Sequence, residues 1–492
     1  MIVPPGLVRF FKNTILLFAA RLMNPAAAVI VGLVFAKRDG VEPFGEFSFV
    51  LAYCFLFGVV FSLGLGTLIG REAAKEPEKS ADYLASATFI SLVSAAAGGL
   101  CMFAPAGFFH LSGNAKWGLF IMGLSIFPSI LIFVWEALLI TMERNNQLLA
   151  YQGVEGLLKV SLSLPAIHFG YGIIGVTSVF LFARLVCAAG YFGVLRSALR
   201  PMSWKVNPET VRKLLFLTPT FALLHILAVV FAKSDIVLLA LLSDFNAVGI
   251  YGAAYKLLEM TFIPPTCVVS VLFPILSRHA KENGARFTEI SSLSVFYSVA
   301  VLLPVAAVLI YFADFIVVTV YSKSFAGAAH AFRILIIALA FYMVDQVFAH
   351  SLVASDLQGN NLRALAIGTV IGVGLNAALI PSLGYIGPCI STVVSMGALT
   401  MIHYYYVGRR LYRFNAMKTA LGAAVIGALG FLAYLSRSAS PFILIPACLA
   451  VYVPVVLLIK AHLFECSDAP EWAAAFAKAS PLPAEASHEA IK

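Results

Sequence analysis

The sequence predicts an all-α polytopic membrane protein. It has fourteen transmembrane helices, laid out as two six-helix lobes in a pseudo-two-fold arrangement plus two accessory helices, with both termini cytoplasmic. Three observations predict this. Of 492 residues, 61% are hydrophobic and only 12% charged, whereas soluble domains run about 45–50% apolar and about 25% charged. The apolar residues come in long unalternating runs, such as Val301 to Phe312 and Leu365 to Ile380, unlike the alternation of membrane β-strands over ~10 residues. The basic residues, finally, collect on one side of the predicted spans. A soluble enzyme, a disordered chain and a secreted disulfide scaffold are excluded.

Crossing a hydrocarbon core of about 30 Å takes about 20 helical residues. Cutting at polar clusters and Gly/Pro turns yields the spans in order. The first, 10–36, is too long for a signal-peptide core and is interrupted by Arg21. Next come 44–70, closed by Arg71, then 82–108 and 116–140. Only the Gly170-Tyr171-Gly172 turn separates 149–169 from 171–197. A second set of six follows at 212–242, 247–275, 290–312, 330–355, 363–382 and 385–407. The last two, 417–436 and 441–464, carry no charge between Lys418 and Arg437 or between Arg437 and Lys460. With the N-terminus inside, 22 of the 33 Lys and Arg face the cytoplasm, 5 face outward and 6 lie within spans. The net charge of +9 is thus mostly a topology signal.

The chain repeats itself. Phe44-Gly45-Glu46-Phe47 opens the second span and Val248-Gly249-Ile250-Tyr251 the eighth, 204 residues on; Arg71 and Arg278 close them, offset 207. Gly172-Ile173-Ile174-Gly175 opens the sixth span and Gly384-Tyr385-Ile386-Gly387 the twelfth, offset 212. Six spans per unit is even, so the halves share an orientation, a common plan among secondary transporters. The expected division is 1–200 for the N-lobe, 201–412 for the C-lobe, 413–464 for the accessory helices and 465–492 for a cytoplasmic tail rich in Ala, Pro, Ser and Glu.

An ionisable side chain in the bilayer core costs about 2.5–3.5 kcal/mol on insertion scales, so such residues are site candidates. Arg21, Asn24 and Pro25 meet near the middle of span 1, where Pro25 cannot bond the carbonyl of Arg21 and bends the helix. In span 5, Glu155 and Lys159 share a helical face, and they either neutralise each other or serve a ligand. Arg184 in span 6 has no acid within one turn. Span 7 carries His225, Lys233 and Asp235, and span 8 returns with Tyr251, Tyr255, Lys256 and Glu259 at comparable depth. Span 10 adds Arg333, the isolated carboxylate Asp345 and His350. There is no phosphate-binding G-x-x-x-x-G-K-[ST]. Gly64, Gly66 and Gly70 within span 2 indicate close helix packing rather than a dinucleotide site. The seven cysteines have no zinc or redox spacing. Catalytic and metal sites are therefore not expected.

Phe44-Gly45-Glu46-Phe47, Gly64-x-Gly66 and Arg71-Glu72 resemble the span-2 pattern of the polysaccharide transporter (O-antigen-type flippase) family. That family belongs to the multidrug/oligosaccharidyl-lipid/polysaccharide exporter superfamily. Asp235-Ile236, Val248-Gly249-Ile250-Tyr251-x-x-Ala254-Tyr255, Phe273-Pro274-x-x-Ser277-Arg278 and Asn376-x-x-Leu379-Ile380-Pro381-x-x-Gly384-x-x-Gly387 are similar to its second half. The first external loop, Lys37-Arg38-Asp39-Gly40, departs from the family's Leu-Gly pair. The resemblance implies two lobes around a central cavity and alternating access. It implies as substrate an undecaprenyl-diphosphate-linked oligosaccharide, moved across a bacterial inner membrane for cell-surface polysaccharide (O-antigen or exopolysaccharide) synthesis. The partners are then this lipid-linked oligosaccharide and membrane lipid, with a polysaccharide polymerase and glycosyltransferases alongside and no nucleic acid. No cofactor is implied beyond H⁺ or Na⁺ as coupling ion.

On that reading Arg21, Lys159, Arg184, Lys233, Lys256 and Arg333 are the expected diphosphate-binding cations. Asp235, to which the resemblance extends, is an expected coupling carboxylate, as are Glu259 and Asp345 on the physics of intramembrane carboxylates alone, and Asn24, Pro25 and His225 line the hinge and cavity. A drug/cation antiporter of the same superfamily would need an acid-dominated cavity. A peptidoglycan-precursor flippase shares the architecture, and a membrane glycosyltransferase or polymerase would need acidic outer loops that are short here.

Overall fold

The computed structural model describes residues 5–199, 206–282 and 284–412. The expected accessory spans and the tail lie outside the described residues, as does the side chain of Arg21. Every described regular element is helical: α1 (Pro5–Asp39), α2 (Val41–Ser62), α3 (Leu65–Lys75), α4 (Ser80–Phe103), α5 (Gly113–Leu124), α6 (Ile126–Thr141), α7 (Asn145–His168) and α8 (Gly172–Ala198) in the first half. In the second half follow α9 (Pro208–Leu242), α10 (Phe245–Thr261), α11 (Ile263–Glu282), α12 (Gly284–Tyr311), α13 (Ala313–Val320), α14 (Ala326–Ala354), α15 (Gln358–Leu383) and α16 (Ile386–Arg410). Each of the first twelve expected stretches holds one helix or a broken pair. Among the described residues, nine helical stretches are long and apolar enough to cross a membrane.

Three spans expected to be continuous are broken, each for a local reason. Between α2 and α3, Leu63 and Gly64 both take left-handed backbone, with φ of 55° and 64°. A side chain at Gly64 would start 2.8 Å from the backbone of Phe221, so α9 can cross there only over glycine. Between α5 and α6, the Ser125 hydroxyl donates to the Met122 carbonyl at 2.6 Å, taking an acceptor from the helical ladder. Between α10 and α11, Pro264 and Pro265 lack the N–H groups that would continue the helix and suit the first turn of a new one. Elsewhere Pro25, Pro165, Pro219, Pro304 and Pro381 lie inside helices that run through them.

The two halves pack alike. In the first, α1 lies along α7 and α7 along α8; in the second, α9 lies along α15 and α15 along α16. The halves meet where α2 and α10 begin. A Cβ on Gly45 would fall 1.9 Å from the carbonyl oxygen of Phe245, and one on Gly249 would fall 2.1 Å from that of Val41. Both glycines and both carbonyls are 204 residues apart, so the contact is reciprocal, as at a two-fold axis. Phe49 and Phe245 stack edge to face beside it, 5.7 Å between centroids. One buried apolar cluster runs through both halves, including Phe47, Phe49, Tyr251, Tyr321 and Phe332.

Candidate functional site

In the first half, polar side chains from four helices form one connected network. One turn of α7 separates Glu155 from Lys159, whose ammonium lies 2.7 Å from the carboxylate. Arg184, without an acid on its own helix, is not unpaired: α8 packs on α7 and brings its guanidinium 3.2 Å from the other oxygen of Glu155. Glu155 is fully buried and Lys159 nearly so. Lys159 also donates to Asn24 Oδ1 of α1 at 2.9 Å, and its ammonium lies 5.1 Å from the centre of the Phe180 ring. Asn24 in turn donates to Gln152, Gln152 donates to Glu136 of α6, and Tyr191 donates to Glu136 at 2.9 Å. A cleft of about 380 Å³ opens onto this network, lined by Gly66, Thr67, Glu136, Thr141 and Gln152 among others. Glu136 and Gln152 are not among the residues the sequence alone singles out, although Glu136 carries the signal used for the others, a carboxylate inside an apolar run.

The second-half set assembles as the antiparallel geometry predicts. Lys233 of α9 donates to Glu259 of α10, and Lys256 lies 3.0 Å from the second oxygen of the same carboxylate. Asp235 is buried; it accepts from the Tyr251 hydroxyl and from the Ile236 N–H at 2.7 Å. Tyr251 lies 3.5 Å from Thr392 of α16, which ties Asp235 to a third helix. The remaining residues stand apart from this set. His225 links the halves through Thr67, at 3.4 Å, and its ring stacks edge-on against Phe133. Arg333 pairs with the exposed Asp314 and belongs to neither cluster. Asp345, expected to be isolated, is paired: His403 of α16 lies 2.7 Å from it, and the far ring nitrogen lies 2.9 Å from Asn361 of α15. Neither His403 nor Asn361 is visible as a partner in the sequence, because 58 and 16 residues separate them from Asp345.

Each half therefore sets two cations on one buried or half-buried carboxylate: Lys159 and Arg184 on Glu155, Lys233 and Lys256 on Glu259. Each trio has a formal charge of +1 and can exchange its carboxylate contact for an incoming oxyanion. Among the described residues no three His, Cys, Asp or Glu side chains converge as a metal site.

At the far end of α3, Lys213 of α9 reaches Glu72 at 3.1 Å, Tyr83 at 2.7 Å and Glu76 at 3.7 Å, a further junction between the halves. Tyr83 and Glu72 hold the Lys213 ammonium above the ordinary lysine range. Lys79 and the Tyr83 hydroxyl hold the Glu76 carboxyl below its own.

The model of the family described as polysaccharide biosynthesis protein matches residues 10–280, and that of lipid II flippase MurJ matches residues 191–452. Among curated proteins, the probable low-salt glycan biosynthesis flippase Agl15 of Haloferax volcanii is 26% identical over 174 residues. That alignment covers 35% of this chain and 37% of Agl15, so the match spans about a third of the relative's length. Among solved structures, the fold is similar to a lipid II flippase MurJ in an inward closed conformation (TM-score 0.75, 15% identity, 92% of this chain and 99% of that one). It is also similar to an inward-facing multidrug resistance MATE family transporter of the MOP superfamily (TM-score 0.68, 14% identity, 80% and 98%). A MOP superfamily transporter from Pyrococcus furiosus matches as well (TM-score 0.60, 14% identity, 83% and 99%). At these identities the likeness shows a common fold.

Proposed function

We propose, from the premise that this chain belongs to the polysaccharide biosynthesis protein family whose model covers more than half of it, that it is a flippase for a lipid-linked oligosaccharide. The substrate is an undecaprenyl-diphosphate-linked glycan, carried across a bacterial inner membrane by ion-coupled alternating access of two lobes. The observation that carries this reading is the pair of two-cation, one-carboxylate trios, one in each half. A diphosphate carries more negative charge than one carboxylate and offers more acceptor oxygens. It can therefore draw Arg184 and Lys159, or Lys233 and Lys256, away from Glu155 or Glu259 when the headgroup enters. Asp235, Glu259 and Asp345 are the carboxylates through which a proton or Na⁺ couples to lobe movement, and Arg21 adds a cation on span 1. Asn24 and Gln152 hold the first trio in place at the cleft.

The test uses the purified chain in vesicles carrying a fluorescent undecaprenyl-diphosphate-linked oligosaccharide. Translocation should exceed that in protein-free vesicles and should be lost in Arg21→Ala and in Arg184→Ala, both still inserted. Normal translocation by both variants would remove the diphosphate role, and transport of organic cations in its place would favour a drug antiporter. The match of the second half to the lipid II flippase model favours a second reading, a peptidoglycan-precursor flippase. Competition between the two lipid-linked sugars in the same vesicles separates them.

A further inference from the structure

The Asp345–His403–Asn361 cluster ties together three helices of the second half and belongs to neither cation trio. Asp345 is 4% exposed and His403 is 1% exposed. His403 Nδ1 lies 2.7 Å from Asp345 Oδ1, and its Nε2 lies 2.9 Å from Asn361 Oδ1. A carboxylate and an amide oxygen only accept, so an imidazole facing both must donate from both nitrogens, which requires the doubly protonated ring. Turning the Asn361 amide over presents its NH₂ to Nε2 instead, and then the neutral ring fits the same heavy-atom positions. The cluster thus satisfies its hydrogen bonds in two states that differ by one proton.

Position sets the cluster toward one end of the bundle. Asn361 is three residues into α15, His403 is seven residues before the end of α16, and Asp345 is nine before the end of α14. At about 1.5 Å per residue the three lie roughly 5 to 13 Å along their helices from the end where α14 joins α15. Among the described residues, Tyr342 and His350 on its own helix lie within electrostatic reach of Asp345. Facing these, α11 presents Thr266 to Tyr342 and Phe273 to His350, and α12 presents Ser291 to Ser351. Among the described residues no lysine or arginine forms an ion pair with Asp345.

We propose that Asp345, His403 and Asn361 form a proton-binding site. Loading adds a proton from water to the Nε2 lone pair of His403, forming the second N–H bond, as Asn361 turns its oxygen toward the ring; unloading returns that proton to water. The loaded cluster is a neutral imidazolium–carboxylate pair, whereas the empty one holds an uncompensated carboxylate charge. Burial favours the first and hydration the second, so the proton selects between packings of α14, α15 and α16. The site stands on this geometry alone; its coupling to lobe movement rests on the flippase reading.

The experiment counts protons released by the full-length protein in lipid nanodiscs, in weak buffer with a pH-indicator dye, on a jump from about pH 5 to about pH 9. His403→Gln keeps hydrogen-bonding groups but cannot titrate in this range. Asp345→Asn keeps an acceptor for Nδ1–H but removes the charge that holds the second proton. Each folded variant should release about one proton fewer than the wild type, and an unchanged count in either overturns the site. Any titrating histidine would lower the count in His403→Gln, so Asp345→Asn is the deciding arm: a cluster that only braced the helices would lose thermal stability there and leave the count untouched. Glycan translocation measured on the same wild-type protein separates the readings. If it is absent while the proton count falls as expected, the flippase proposal fails and the proton site remains.

Discussion

A methyl group at Gly45 or Gly249 should pry apart the ends of α2 and α10. The added Cβ would lie 1.9 Å from the Phe245 carbonyl oxygen or 2.1 Å from that of Val41, where ordinary contact begins at 3.4 Å. The atoms in the way are backbone, so no rotamer change relieves the clash, and the helices must separate locally by about 1.5 Å or about 1.3 Å. Overpacking of this kind costs about 1–3 kcal/mol. If the cost falls on the packed state alone, the equilibrium between packed and separated ends shifts by about 5- to 150-fold. Spin labels at Glu42 and Asn246, exposed residues one position beyond Val41 and Phe245, report the separation by electron–electron double resonance. Gly45→Ala and Gly249→Ala should each enlarge the long-distance population. The control is Gly58→Ala on the same α2, where nothing lies within 4 Å of the added carbon; it should leave the distribution unchanged and raise helix stability by up to about 1 kcal/mol. Wild-type distributions in both interface variants would refute the reciprocal backbone contact.

Other perturbations test the clusters singly. Glu155→Gln leaves Lys159 and Arg184 without their shared anion at a buried position. It should cost about 3–5 kcal/mol in detergent unfolding, and the double variant Glu155→Gln/Lys159→Met should recover part of the loss. Asp235→Asn should change the dependence of transport on pH or Na⁺ while the chain still inserts; an unaltered dependence would take Asp235 out of the coupling role. Lys213→Ala should speed hydrogen–deuterium exchange across residues 65–83, where its partners lie. The raised Lys213 contributes below the ordinary lysine pKa and is lost as pH climbs past it. The lowered Glu76 contributes above the ordinary glutamate pKa and is lost as pH falls below it. The wild-type contact should therefore hold from about pH 5 to about pH 10, each exposed pair adding little by itself.

Hydrophobic run length and punctuation determined where the helices lie, because both are local. Twelve stretches are legible in this way, down to the Gly170-Tyr171-Gly172 turn, where Gly170 and Gly172 adopt φ of 86° and 54°. The offset of 204 residues exposed the repeat, and with it the equivalence of Gly45 and Gly249. The i,i+4 spacing of Glu155 and Lys159 announced their ion pair. What stayed hidden depends on which helix faces which. Arg184 reads as unpaired until α8 lies on α7, and Asp345 as isolated until α16 brings His403 against it. Glu136 gains meaning only as the end of a chain of bonds reaching Lys159 through Gln152 and Asn24. Burial makes these partners necessary, since a charge kept from water must be matched. Which residue supplies the match is decided only by tertiary packing, across helices as far apart in sequence as Asn24 and Lys159, 135 residues.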